Sequence, residues 1–501
     1  MALIEQLLHD HLVPRIWRRD TSIWASSGTP AADSVANRLG WLDVPTGMAA
    51  EVSRVETLAD AVRRDGIRVV YLLGMGGSSL CAEVIRSVYG VADGHPDLIV
   101  MDTTDEEAIH GAAARLEPER TLFLVASKSG GTIEPRSMER LFRSRMSAAL
   151  GSLTGRHFVA ITDPSTELQA LGEREGYRQV FLNPPDIGGR YSALSLFGLV
   201  PAALIGAPAD QMLRAGAEMA DGCRQESDRN PGLQLGAFMG GCARNGRDKL
   251  TVALPPSLRT LGLWIEQLVA ESTGKQGKGL LPVVDEPLGR PDEYGADRCF
   301  VAVSTERDAP DADRLGALER AGHPVFRLST RVDGLGAEFF RWEFATAVAG
   351  AVLGINPFDE PNVKEAKDKT NALLARGAIE DGTPAAQDDA VKVFSRFSGR
   401  SPADVVGAAL ASLKPPDYVA FLSYLPASPE VETAIAEIRS GIRARAHVAT
   451  TFGVGPRYLH STGQYHKGGP NTALAFVITG DDATETPIPD APYSFSTLKR
   501  A

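Results

Sequence analysis

Cysteine is scarce in this chain of 501 residues: Cys81, Cys223, Cys242 and Cys299 are the only four. No two form a C-x-x-C pair, and each sits in apolar or mixed surroundings. A zinc site or redox dithiol needs cysteines at short spacing, so neither is expected, and nor is a disulfide frame. Reduced thiols of this kind suit a cytoplasmic protein. Positive charge is also in short supply, with 52 Lys and Arg against 63 Asp and Glu, a net charge of −11. Phosphate backbones attract basic surfaces, so nucleic acid is not the expected main partner. A phosphorylated small molecule stays possible, because it needs only a local positive site. Long apolar runs are missing too. The longest, residues 191–209, is cut by Pro201 and Gly206 and holds Ser192 and Ser195, which favours a buried helix over a membrane span. The opening MALIEQLLHDHL carries acids and no basic n-region, so no signal peptide is expected. No repeat of about 20–50 residues stands out.

What is present is a large apolar fraction, 43%, in a chain too long for one ordinary domain. Residues 1–45, with Trp17, Trp24 and Trp41, read as an extension packed on the main body. From Gly66 short apolar runs alternate with helical patterns: 68–73, 97–102, 121–126 and 158–163 read as buried strands. That alternation predicts an α/β fold with doubly wound parallel sheets. It restarts with strands at 249–254, 299–304 and 324–329 and an alanine- and valine-rich helix at 342–353. Residues 379–387, with Asp381, Gly382 and Pro384, read as a linker. A third region follows, with strands at 417–425 and 472–479 and a helix at 429–445. The tail after Gly480, rich in proline and acids, is expected to wrap the surface. The division expected is 1–45, 46–208, 209–378 and 379–501.

The most telling segment is Glu271-Ser-Thr-Gly-Lys275-Gln-Gly-Lys278-Gly, where the apolar helical run 261–270 ends. A carboxylate, glycines that permit close backbone approach and two lysines that favour an anion fit a proton shuttle on a phosphorylated sugar. An exposed helix end with solvated charges is the plainer reading. Gly74-Met-Gly-Gly77-Ser78-Ser79 follows a strand directly, and such a turn aims N–H groups at an anion. It looks like a dinucleotide loop, with Asp102 placed as a ribose-binding acid, but Ser79 stands where the third glycine belongs. Ser127-Lys-Ser129-Gly-Gly131-Thr132 sets three hydroxyls around two glycines at a helix mouth. An N-cap accounts for one of them, not three. Gly188-Gly-Arg190-Tyr-Ser puts an arginine where it can reach into a cleft, Asn356-Pro-Phe-Asp-Glu360 leads into a helix bearing Lys364 and Lys367, and a glycine-flanked loop carries His460 and His466. Each of these three has an ordinary structural reading when taken alone. The two histidines are six apart, a poor spacing for metal ligands on one helix face, but either could serve as acid or base.

Together these segments, in this order over about residues 66–370, resemble the glucose-6-phosphate isomerase family, which is built from two sugar-isomerase (SIS) domains. The end of the chain, Leu459-His-Ser-Thr-Gly-Gln-Tyr-His-Lys-Gly-Gly, looks most like the isomerase half of bifunctional transaldolase/glucose-6-phosphate isomerases. The resemblance implies an aldose–ketose isomerase that needs no metal or cofactor and acts on a sugar phosphate in the cytoplasm, as a homodimer or monomer. It implies that Ser127, Ser129 and Thr132, with Gly77 and Ser78, hold the phosphate. It also implies that Glu271 moves the proton, Arg190 lies near the reacting carbons, Lys367 meets the ring oxygen and His460 opens the ring. Three positions depart from the family's pattern. Gly131 replaces a threonine, Glu360 replaces a glutamine, and the histidine segment follows the glutamate and lysine segments instead of lying between them. An isomerase with dual glucose/mannose 6-phosphate activity and a non-catalytic phosphosugar-binding SIS protein are the alternatives, and Glu271 argues against the second.

Overall fold

The structure, a computed structural model, describes residues 2–376, 382–426 and 428–501, without the side chains of 363–367 and 376. The first sheet holds β1 (Val69–Leu73), β2 (Asp97–Met101), β3 (Thr121–Ala126), β4 (Phe158–Thr162) and β5 (Gln179–Leu182). They are all parallel, in the order β2-β1-β3-β4-β5. Every residue of β3 is buried, as expected of a strand covered on both faces. Alternate residues of β1 enter different cores. Val70 and Leu72 join Val55 and Leu58 of the helix Val52–Arg64, whereas Tyr71 and Leu73 join Met138 and Phe142 of the helix Ile133–Leu150.

The second sheet is also parallel: β6 (Lys249–Ala253), β7 (Leu281–Val283), β8 (Arg298–Ser304) and β9 (Val325–Ser329), in the order β7-β6-β8-β9. The expected helix at 342–353 begins earlier and runs Leu335–Leu353. It packs closely on the helix Pro231–Arg244, where a Cβ at Gly236 would lie 2.5 Å from the Ala345 carbonyl oxygen. The N-terminal tryptophans settle on the same element and the turn after it. Trp17 and Trp41 lie 6.0 and 5.6 Å from Phe340, and Trp24 meets Phe358 edge-on at 4.9 Å.

The third sheet holds β10 (Tyr418–Ser423), β11 (Ala449–Val454) and β12 (Ala473–Ile478), again parallel, in the order β11-β10-β12. Tyr418, Ala420 and Ala449 share one apolar cluster with Leu281, Val283 and Ala270, so this sheet seats on the second. In the expected linker, residues 379–381 lie outside the described residues, and 386–387 pair with 392–393 in a short hairpin. The tail corrects the expectation of a surface wrap. Its helix Phe495–Arg500 buries Phe495 and Leu498, with Ile488, in the cluster that holds Met138 and Phe142. Its apolar residues are few and spaced apart, so proline and acid content concealed them. No helix among the described residues is long and apolar enough to cross a membrane.

Candidate active site

The strand order reverses between β1 and β3, because the chain leaves β1 for β2 on one side and returns to β3 on the other. In open parallel sheets the crevice at such a point, beyond the carboxyl ends of the strands, is where ligands bind. Both glycine loops open there, residues 74–79 after β1 and 127–132 after β3. The Ser127 hydroxyl donates to Thr132 Oγ1 at 3.3 Å, and the Ser129 hydroxyl accepts from the Gly131 N–H at 3.4 Å. Thr132 begins the helix Ile133–Leu150 without capping it through its side chain. The hydroxyls thus remain near a helix N-terminus, whose dipole favours an anion. A Cβ on Gly131 would meet only the Ser129 carbonyl, at 3.9 Å, so the missing threonine leaves open space. Lys128 turns away to pair with Asp163 and to donate to the Pro185 carbonyl at 2.9 Å.

Gly77 brings the loop after β1 against the turn Gly188–Tyr191, since a Cβ there would fall 2.1 Å from the Gly189 carbonyl oxygen. Ser78, in the same turn, is buried. The partner turn presents Arg190, which is 3% exposed and fully engaged. Its Nε donates to Ser272 Oγ at 2.8 Å, and its Nη2 donates to the carbonyls of Pro357 and Asp359 at 2.8 and 2.9 Å. Its Nη1 lies between two carboxylates, 3.1 Å from Glu271 Oε1 and 3.2 Å from Glu360 Oε2. Glu271 stands in the last turn of the helix Leu261–Thr273 with its side chain 13% exposed. Burial pushes its carboxyl above the ordinary range, Arg190 opposes that shift and Glu360 adds to it. Lys275 donates to the Asn356 carbonyl and to Asp359 Oδ1, at 2.8 and 2.7 Å, and so ties the turn at 356–360 to the end of that helix. Burial, reinforced by the charge of Arg190, lowers its pKa to about 8.

The two histidines part company. His460 lies in the turn Arg457–His460, and its Nε2 is 2.9 Å from Glu134 Oε1. Three contacts seat that turn. The His460 carbonyl accepts from Gln267 Nε2 at 2.8 Å, Gly76 packs beneath it, and Arg457 grips Asp102 through two bonds of 2.7 and 2.8 Å. Asp102 is thus an anchor for the histidine segment, not a ribose ligand. Gln267 also donates to Glu271 Oε2 at 3.1 Å, so one amide joins the carboxylate and the histidine turn. His466 faces the third sheet, with Nδ1 2.8 Å from the Tyr418 hydroxyl, and burial lowers its pKa to about 4. Lys367 falls in the helix Pro361–Arg376, but its side chain lies outside the described residues.

Sequence reasoning missed Gln267, Glu134 and Arg457 as parts of the site. For Gln267 a signal existed, because it stands four residues before Glu271, one helical turn away on the same face. Glu134 stands in the first turn of the helix Ile133–Leu150. Its meeting with His460, 326 positions on, has no local trace.

A profile of the phosphoglucose isomerase family matches residues 56–281. Glucose-6-phosphate isomerase of Symbiobacterium thermophilum is 30% identical over 397 residues, covering 68% of this chain and 88% of that protein. The enzyme of the same name from Rubrobacter xylanophilus is 29% identical over 372 residues, 64% of this chain and 85% of its own. Among solved structures, a hypothetical protein of Thermus thermophilus superposes with a TM-score of 0.65 at 25% identity, over 75% of this chain and 98% of its own. Glucose-6-phosphate isomerase of Chlamydia trachomatis shares the fold, with a TM-score of 0.56 at 19% identity over 73% and 78% of the two chains. With a relative this similar matched over most of its length, the chain belongs to the phosphoglucose isomerase family.

Proposed function

We propose that the chain interconverts glucose 6-phosphate and fructose 6-phosphate through a cis-enediol. The observation that carries this reading is Glu271, a buried carboxylate with a raised pKa, set against Arg190 at the meeting point of the two loops. Ser127, Ser129 and Thr132, facing Gly77 and Ser78, bind the phosphate and orient the sugar. His460, paired with Glu134, exchanges the proton that opens the ring, and Lys367 attends the ring oxygen. Glu271 then takes a proton from one carbon and returns it to its neighbour. A raised pKa suits that task, because the same group must release the proton it accepts. Arg190, fixed by its carbonyl and hydroxyl partners, turns its Nη1 from Glu360 to the oxygen on which negative charge develops.

A coupled assay tests the reading, with fructose 6-phosphate supplied and glucose 6-phosphate read out. Turnover on the order of 1–10³ s⁻¹ is expected. Binding of the sugar phosphate without turnover would mean a phosphosugar sensor instead. Repeating the assay with mannose 6-phosphate separates a single from a dual specificity at C2.

A further inference from the structure

A second cavity, of about 400 Å³, lies outside the phosphate loops and the Glu271–Arg190 centre. It opens between the helix Leu261–Thr273, the helix Pro429–Ala446 and the turn that carries His460. Glu266 lines it, 7% exposed, and no described residue hydrogen-bonds or ion-pairs with its carboxyl. Five residues before Glu271, it points about 140° away around the helix, so it belongs to a different face. The Thr260 hydroxyl, also on this wall, is buried without a partner. A buried polar group left this way costs stability unless something completes it.

The chemistry of what would complete it can be read from the neighbours. Each arginine around the cavity already has a partner. Arg457 is bound to Asp102, Arg439 to the carbonyls of Val284 and Thr450, and Arg259 to Asp285. Glu83, Asp285 and Glu432 complete the charged lining. The acids of the lining are at least as many as its arginines and would oppose a phosphate. A small cation would meet Arg439 and Arg457, whose charges already act on Glu266. The unmet need is for neutral groups that both donate and accept hydrogen bonds, and Phe452 and Tyr458 supply flat apolar surface beside it. We infer that this cavity binds a neutral polyhydroxylated ligand, a free sugar or polyol, whose hydroxyls exchange hydrogen bonds with the Glu266 carboxyl. Tyr458, Ser461 and Thr462 of its wall flank His460, so an occupant steadies the histidine segment from behind.

Methyl α-glucopyranoside is a suitable probe, since it has no phosphate and cannot open its ring. Saturation-transfer NMR should show it bound to the full chain, at least tenfold more weakly to Glu266→Leu, and as well as before to the double variant Ser127→Ala/Thr132→Ala. Glu266→Gln, which keeps the shape and one acceptor, should retain part of the affinity and guards against a folding artefact. Hydrogen exchange across residues 457–462 should slow severalfold with the sugar in the wild-type protein and not in Glu266→Leu. No transfer to the wild-type protein, or transfer indifferent to Glu266→Leu, overturns the inference. So does preferential binding of ethylammonium that tightens as pH rises, because burial has pushed the Glu266 carboxyl up to about 8 and a cation would draw the proton from it.

Discussion

The guanidinium nitrogen of Arg190 that touches both Glu271 and Glu360 is shared between carboxylates that compete for it. Glu271→Gln removes the proposed base but keeps the side-chain volume, so turnover should fall by ~10²–10⁴-fold while sugar-phosphate affinity holds, as checked by titration calorimetry. A variant keeping a tenth of wild-type turnover would exclude Glu271 as the base. Glu360→Gln is subtler. The Glu360 charge pushes the Glu271 pKa up, and the base works only when ionised, so activity rises with pH through that pKa. Removing the charge leaves Arg190 wholly to Glu271 and should move the acid limb of the kcat/KM profile to lower pH. A limb that stays put would mean that Glu360 does not act on the base. Glu271 and Arg190 were legible in the sequence because each sits in a short motif of distinct chemistry. The choice between His460 and His466 was not, because both lie in one glycine-flanked loop and only their partners, Glu134 and Tyr418, distinguish them.

Among the elements, the turn Arg457–His460 is held by a charge pair with buried Asp102. Arg457→Ala should slow turnover of cyclic sugar phosphates and leave proton exchange nearly intact on an analogue without C4 and C5 hydroxyls, which cannot close a ring. NMR in deuterated water follows that exchange. Adding Asp102→Ala should restore part of the loss, since the single variant also strands a buried carboxylate. Loss of exchange on the open-chain analogue would instead tie the turn to enolisation. The C-terminal helix makes a different demand. Phe495→Ala should cost about 3–5 kcal/mol and lower the denaturant midpoint, because this fully buried ring fills the core beneath the helix Ile133–Leu150. Strands with continuous apolar runs, such as β3 and β4, were readable from the sequence. β5, β7 and β11 were not. β5 follows a charged stretch, β7 is only three residues long and holds a proline, and β11 reads ATTFGV, in which threonines dilute the apolar signal. Their strand character comes from the neighbours they pair with.

At the scale of the whole molecule, three parallel sheets bring Glu271, Arg190, the two glycine loops and His460 together within one chain. If that set is sufficient, turnover per chain should be constant on dilution through any association equilibrium seen by sedimentation. A fall in specific activity that tracks dissociation would show that a second copy completes the site. The α/β class and the parallel sheets followed from the alternation of short apolar runs with helical patterns. The closing of the third region over the crevice did not, because it rests on contacts between residues hundreds of positions apart, such as Arg457 with Asp102. The sequence separation of 193 between Gln267 and His460 has a consequence for synthesis. At roughly 5–20 residues per second, a ribosome completes the two glycine loops, Arg190 and Glu271 many seconds before it adds His460. If His460 is the group that opens the ring, the nascent chain owns Glu271 and Arg190 before it can act on cyclic sugars, and that competence is among the last properties translation confers.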